Sequence, residues 1–352
     1  MDEIRLSIND REVTVPRNFT ILQAAEKIGV KIPTLCHHED LKPCSACRIC
    51  VVEVEGARSL VTACSYPVSP GMKVKTQTDR VQKARRLVME LLLSDHPFDC
   101  MTCEKAGSCR LQDLAYEMGL TDSRFKGERH TYPLDDSNPC IVRDYNKCVL
   151  CERCVRICNE IQGSTAIDYA HRGFRTKVAV PYHRGLQESD CVFCGQCVSV
   201  CPVGALTERT RQGKGREWEF EKTETTCSFC GVGCTLILNV KEGEIVRVTS
   251  DRKRGVNRGN TCVKGRFGFD YVHSPDRLTH PLFREGNSFV PASWEGALER
   301  VAEGLKKIKK QYGGDAIGVL ASAKCTNEEN YILQKLARAA LGTNNVDHCA
   351  RL

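Results

Sequence analysis

Aromatic residues are scarce in this chain, 6% of 352 residues with two tryptophans among them. Small modules built from such a sequence have little apolar mass to bury, so a single large core is not expected. Long apolar runs are missing as well. The longest, near Leu87 to Leu93, is broken by Glu90 and is far too short to cross a bilayer. No basic stretch followed by an apolar segment opens the sequence; Met1-Asp2-Glu3-Ile4-Arg5 instead begins an alternating strand pattern. That absence argues against a secreted, disulfide-held framework and points to a reducing compartment, the cytoplasm, where closely spaced cysteines bind metal.

What the chain does have is cysteine, 23 residues of it. All but Cys44, Cys140, Cys325 and Cys349 join one histidine, His96, in five sets with the spacing of iron–sulfur ligands. The first set is Cys36, Cys47, Cys50 and Cys64; the second is His96, Cys100, Cys103 and Cys109. Two runs of the bacterial ferredoxin type follow, Cys148, Cys151, Cys154, Cys158 and Cys191, Cys194, Cys197, Cys201, the latter with Pro202. In that pattern three cysteines of one run and the last of the other hold each cube. The expected sets are therefore Cys148, Cys151, Cys154 with Cys201, and Cys191, Cys194, Cys197 with Cys158. Asn159 stands where a proline follows the other run, a departure that leaves the expectation for Cys158 in place. The last set is Cys227, Cys230, Cys234 and the distant Cys262. One 2Fe–2S and four 4Fe–4S clusters are thus expected, and with them one-electron transfer.

These clusters change the meaning of the charge. The formal value of +7 counts cysteine as neutral. An oxidised four-thiolate cluster carries about −2 and one with three thiolates and an imidazole about −1, roughly −9 for the five. The loaded protein would then sit near about −2, and no polyanionic nucleic-acid partner is implied.

Ile4, Leu6 and Ile8, then Val13 and Val15, alternate about Asn9-Asp10 as a hairpin. Thr20 and Gln23 offer a capping box for a helix from Ile21 to Ile28, stopped by Gly29. This order and the run Ser45-Ala46-Cys47-Arg48-Ile49-Cys50-Val51-Val52-Glu53 resemble the N-terminal 2Fe–2S domain shared by the complex I large iron–sulfur subunit, many-cluster iron hydrogenases and NAD(P)-linked formate dehydrogenases. Cys44 leaves an alternative open, since Cys44-x2-Cys47-x2-Cys50 could begin a four-iron site, although no x3-Cys-Pro follows. The same family group carries the His96 set. A Cys3His zinc site is its competitor.

The fourth segment, Cys227-Ser228-Phe229-Cys230-Gly231-Val232-Gly233-Cys234 closed by Cys262-Val263-Lys264-Gly265-Arg266-Phe267-Gly268-Phe269-Asp270, resembles the 4Fe–4S domain of molybdenum or tungsten bis-pyranopterin oxidoreductases. The resemblance implies that Lys264 lies between cluster and pterin, contacting the cofactor and relaying electrons. Between Gly213 and Glu224 the charged, glycine-containing stretch reads as a linker. Ser293 opens a helix with Trp294, Ala297, Leu298, Val301, Leu305 and Ile308 on one face, Ala316 to Ala321 reads as a buried strand, and a helix runs from about Glu328 to Leu341. A lone strand cannot make a sheet, so this last α/β segment reads as incomplete.

Ser322-Ala323-Lys324-Cys325-Thr326-Asn327-Glu328-Glu329-Asn330-Tyr331 and Gly342 to Leu352 resemble the cytoplasmic formate dehydrogenase catalytic subunit. In that family the next residue is selenocysteine or cysteine, the metal ligand, so the chain is expected to stop one residue short, as a selenoprotein fragment read to a UGA codon. No catalytic residue is then expected within it.

The expected fold class is an α+β multidomain iron–sulfur protein. It comprises a β-grasp 2Fe–2S ferredoxin (1–79), a His/Cys3 4Fe–4S domain (80–119), a bacterial two-cluster ferredoxin (138–211), a 4Fe–4S domain of molybdopterin oxidoreductases (220–276) and an incomplete α/β segment (277–352). The resemblance implies a Mo or W bis-pyranopterin guanine dinucleotide in the full-length protein. It also implies a flavin-containing diaphorase subunit using NAD(P)H, a ferredoxin or a hydrogenase subunit as partner. A non-catalytic complex I-like electron carrier is the alternative.

Overall fold

A computed structural model describes residues 3–323 and 325–349. The chain divides into two compact units, Met1–Glu221 and Lys222–Leu352.

The first unit begins with strands β1 (Glu3–Ile8) and β2 (Arg11–Pro16), paired antiparallel, and helix α1 (Ile21–Lys27). The turn between the strands puts Asn9 and Asp10 at positive φ, where short polar side chains are tolerated. At α1 the Thr20 hydroxyl accepts from the Gln23 amide at 3.3 Å, and the Gln23 side chain accepts from the Thr20 amide at 2.8 Å. Strands β3 (Val51–Val54), β4 (Val61–Thr62) and β5 (Lys73–Lys75) complete a sheet in the order β2-β1-β5-β3-β4, with β5 parallel to β1. Alternation places Ile4, Leu6, Ile8, Val13 and Val15 inward, against Ile21, Leu22, Ala24 and Ala25 of α1.

Helix α2 (Asp79–Asp95), capped by Thr78, ends at His96, and α3 (Arg110–Glu117) follows Cys109 directly. Beyond lie very short elements: β6 (Ile141–Arg143), α4 (Arg153–Arg156) continued by a π turn to Gln162, β7 (Asp168–Ala170), β8 (Lys177–Ala179), α5 (Gln196–Val200) and β9 (Leu206–Glu208). Pairings β6–β9 and β7–β8 hold them, around a small core of Val155, Ile167, Val178, Val180 and Leu186.

The boundary between the two units falls within the stretch 213–224, as a linker there implies, but the stretch is more ordered than its charges suggest. The Gly213 amide donates to Glu104 at 2.9 Å, the Arg216 guanidinium holds the Cys103 carbonyl at 2.7 Å and the Met101 carbonyl besides, and β10 (Glu221–Thr226) starts within it. All six residues of β10 are exposed. A solvated strand tolerates charge on both faces, which is why composition misled.

In the second unit β10, β11 (Thr235–Lys241) and β12 (Glu244–Thr249) form a three-stranded sheet, and α6 (Val263–Phe267) follows Cys262. A hairpin, β13 (Leu282–Glu285) and β14 (Ser288–Pro291), precedes α7 (Trp294–Tyr312), β15 (Val319–Ala321), α8 (Asn327–Lys335) with its π continuation to Leu341, and β16 (Val346–His348). Two expectations fail here. The strand pairs in parallel with β16, so it is not alone, and it is not buried: Leu320 is 86% exposed. The expected inner face of α7 is also open, with Trp294 65% and Leu298 62% exposed. Periodicity correctly placed the helix, but it does not reveal whether anything covers the face. Ala350, Arg351 and Leu352, on which the reading of the chain end depends, lie outside the described residues, as does Lys324. Among the described residues no helix is long and apolar enough to cross a membrane.

Candidate electron-transfer centres

The loop from Cys36 to Cys50 is bent by left-handed residues, Ser45 at φ 57° and Arg48 at φ 57°. It brings Cys36, Cys47, Cys50 and Cys64 together, each nearly or fully buried. The Cys36 amide donates to the Cys47 sulfur at 3.4 Å, and the Ser45 hydroxyl lies 3.8 Å from the Cys64 sulfur. Hydrogen bonding from Cys36, outweighing burial, lowers the Cys47 thiol to about 6, with help from the amides of Ile49, Cys36 and Leu35. Cys50 is lowered through Cys64. Thiolate is the form that binds iron, so this donor set suits a cluster. Cys44 stands beside the set: contact with Cys36, then burial, pushes its thiol up, and its sulfur lies 4.0 Å from the Cys151 carbonyl.

His96, at the end of α2, has a buried Nδ1 without a hydrogen-bond partner. Burial pulls its imidazole down to about 4, so the ring is neutral and has a free lone pair, as ligation requires. Cys103 and Cys109 are buried and Cys100 half-buried; desolvation raises Cys109 to about 11. A Cβ on Gly204 would lie 2.7 Å from the Cys103 sulfur, so a residue two places past Pro202 must lack a side chain for this site to fit. The Arg110 amide donates to the Pro202 carbonyl at 2.9 Å, joining the same two loops.

The two ferredoxin runs are near copies. Leu150 and Glu152 in the first, and Phe193 and Gly195 in the second, take positive φ of 49°, 64°, 51° and 70°. Each such turn aims backbone N–H groups at sulfur: Leu150 to Cys148, Arg153 to Cys151, Phe193 to Cys191 and Gln196 to Cys194. All eight cysteines line one cavity with Ile141, Ile167, Val178, Leu186 and other apolar residues. Within it the Cys201 sulfur interacts with those of Cys148, Cys151 and Cys154, and the Cys158 sulfur with those of Cys191, Cys194 and Cys197, on the last of which Cys201 acts less than Cys158 does. Burial pushes Cys148 up to about 11 and Cys151 up to about 12, and drives Cys154 and Cys197 higher still. Dry thiols of this kind ionise only against positive charge, which a cubic iron cluster would supply.

In the second unit the Cys227 amide donates to the Cys234 carbonyl at 2.8 Å, and the Cys234 sulfur interacts with those of Cys227 and Cys262. Cys230 is on the same loop and half-buried. Lys264, in α6, is exposed. Among the described residues no group of three or more His, Cys, Asp or Glu side chains is drawn closely enough together to hold a single metal ion.

Sequence reasoning missed the residues that join the modules. Leu41, from the first loop, packs with Ile157 and Val200. The Lys42 amide donates to Glu160 at 3.0 Å, and Arg156 donates to the carbonyls of Lys42 and, at 3.1 Å, Cys36. Arg153 donates to the His37 carbonyl and, at 3.4 Å, to that of Val200. The pattern Cys-x-Arg-Cys at 151–154 was the available signal.

Family models match five stretches of the chain. Residues 1–79 match a 2Fe–2S iron–sulfur cluster binding domain, 85–124 the NADH-ubiquinone oxidoreductase-G iron–sulfur binding region, and 138–207 the ferredoxin-like domain of NADH-quinone oxidoreductase subunit 3. Residues 220–274 match the molybdopterin oxidoreductase Fe4S4 domain and 277–352 molybdopterin oxidoreductase. The chain belongs to the multidomain iron–sulfur oxidoreductases. Its iron–sulfur region is of the NADH-quinone oxidoreductase-G and molybdopterin oxidoreductase type.

The chain is 40% identical over 349 residues to the NADPH-Fe(3+) oxidoreductase subunit alpha of Geobacter sulfurreducens, covering 99% of this chain and 40% of that protein. It is 39% identical to a G-type NADH-quinone oxidoreductase subunit of Rhizobium meliloti, again over 99% and 40%. A more distant Bacillus subtilis relative, provisionally named a formate dehydrogenase, is 34% identical over 99% and 40%. The chain thus spans about 40% of the length of these relatives. Among solved structures, an NAD+-reducing NiFe-hydrogenase in its H2-reduced state superimposes with a TM-score of 0.56 at 30% identity, over 60% of this chain and 90% of that one.

Proposed function

We propose that the chain is the electron-relaying part of an oxidoreductase, passing single electrons between a molybdopterin site and a redox partner subunit. The observation that carries this reading is the shared cavity of the two ferredoxin runs, in which Cys201 sides with the first run and Cys158 with the second. The ligands are five sets: Cys36, Cys47, Cys50, Cys64; His96, Cys100, Cys103, Cys109; Cys148, Cys151, Cys154, Cys201; Cys191, Cys194, Cys197, Cys158; and Cys227, Cys230, Cys234, Cys262. Bound clusters would supply one-electron oxidation and reduction at each set.

The protein's own part is to keep these centres dry, thiolate-ligated and close together. Apolar walls exclude water from the ferredoxin cavity, and inward amides offset the charge on sulfur. Direct packing of the 36–44 loop against the 153–160 helix shortens the path from the first site to the Cys148 set, while the 201–204 loop brings the His96 set to the same module. Lys264 is proposed as the link from the last set to a pterin. The NADH- and NADPH-linked relatives and the hydrogenase favour a pyridine-nucleotide-oxidising flavin protein as partner. The requirement for reduced thiols favours the cytoplasm. Anaerobic reconstitution is expected to give about 18 iron atoms per chain and paramagnetic signals on reduction. A colourless, signal-free protein would overturn the reading.

A second reading makes formate the substrate, favoured by residues 322–349 and their likeness to the formate dehydrogenase catalytic subunit. With a complete molybdopterin domain in place, added formate is expected to bleach the clusters. Bleaching by NADPH but not by formate would sink this reading and leave the relay intact.

A further inference from the structure

We propose that Arg153 is a cationic bridge between the Cys36 set and the Cys148 set, raising the reduction potentials of both. The inference deepens the relay reading and rests on it, since both sets must carry clusters.

The placement is specific. Arg153 sits between two ligands of one set, Cys151 and Cys154. One arm of its guanidinium holds the carbonyl of His37, the neighbour of Cys36; the other reaches the carbonyl of Val200, the neighbour of Cys201. The side chain therefore spans the seam between the two modules. Its Nε is buried without a hydrogen-bond partner. Glu152, the adjacent carboxylate, pairs instead with Arg156 at 3.8 Å, and among the described residues no carboxylate pairs with Arg153. A desolvated cation without a carboxylate is costly unless other anions face it. Sulfurs from both sides lie near enough to act on its charge, Cys151 and Cys201 of one set, Cys36 and Cys47 of the other.

A fixed positive charge there stabilises each added electron on either centre. The second ferredoxin run lacks this charge. Gln196 occupies the position matching Arg153 and is 2% exposed, so the fold already accommodates a glutamine in this turn.

R153Q is accordingly the informative change, with R153K as its charge-retaining companion. The whole chain is reconstituted anaerobically and titrated with EPR detection. In R153Q the reduction equilibria of the two-iron centre and of the adjacent cube should each fall at least tenfold, about 59 mV for one electron, with the His96-set centre moving less. In R153K both should stay within about threefold of the parent, because the ammonium keeps the charge and loses only the fork. The proposal is overturned if an iron-replete R153Q leaves both potentials in place or moves only one. It is equally overturned if R153K falls as far as R153Q, a comparison that needs only the lysine variant should R153Q load poorly. A parent protein that fails to assemble clusters would count against the relay reading itself, a separate result.

Discussion

Cys154→Ala is expected to remove one four-iron centre and spare the rest, lowering iron by roughly four atoms per chain. The buried Cys154 sulfur interacts most with those of Cys151, Cys148 and Cys201, and least with that of Cys197. A methyl group there leaves three ligands in a dry pocket that offers no water as a fourth. Cys201→Ala should empty the same centre, although it belongs to the other run, whereas Cys158→Ala should empty the second cube. Iron and sulfide analysis with EPR of the reduced proteins separates the outcomes. If Cys201→Ala removed the same signal as Cys197→Ala while Cys154 was dispensable, the crossed ligand sets would be wrong.

Removing iron altogether should have the larger structural effect, and an uneven one. Helices α4 and α5 have four and five residues, below the length at which a helix holds itself, and the strands around them have three. The buried aliphatic residues of this module fall into small groups, five in one cluster and Ile157 with Val200 in another. The first module has a five-stranded sheet, a capped helix and an extensive apolar interior. A chelator under reducing conditions is therefore expected to abolish most amide exchange protection over 141–208 while leaving 3–76 largely protected. Retention in both segments would show that the metal sites are not what orders the ferredoxin module, and uniform loss would show that the first module depends on its metal as well.

The proposed ligand sets stand out in the sequence because cluster chemistry imposes short, fixed cysteine spacings that survive any change in the surrounding fold. Hairpin β1–β2 and helix α1 with its Thr20–Gln23 cap were legible for a local reason: alternation, capping and turn chemistry act within a few residues. What escaped the sequence was non-local. Gly204 gives no sign that it makes room for a sulfur about a hundred positions away, and the charged strand β10 looks like loop until its partner is known. The exposed face of α7 shows the opposite failure. Its periodicity was correct, yet burial depends on a neighbour that a helical wheel cannot supply.

The near-identical turns at 150–152 and 193–195 carry a final consequence. A duplicated backbone frame holds sulfur in the same way twice, so any inequality between its two halves must come from what hangs on the frame. Exchanging one side chain per half, arginine for glutamine, would let evolution bias the direction of current flow without redesigning either nest of ligands.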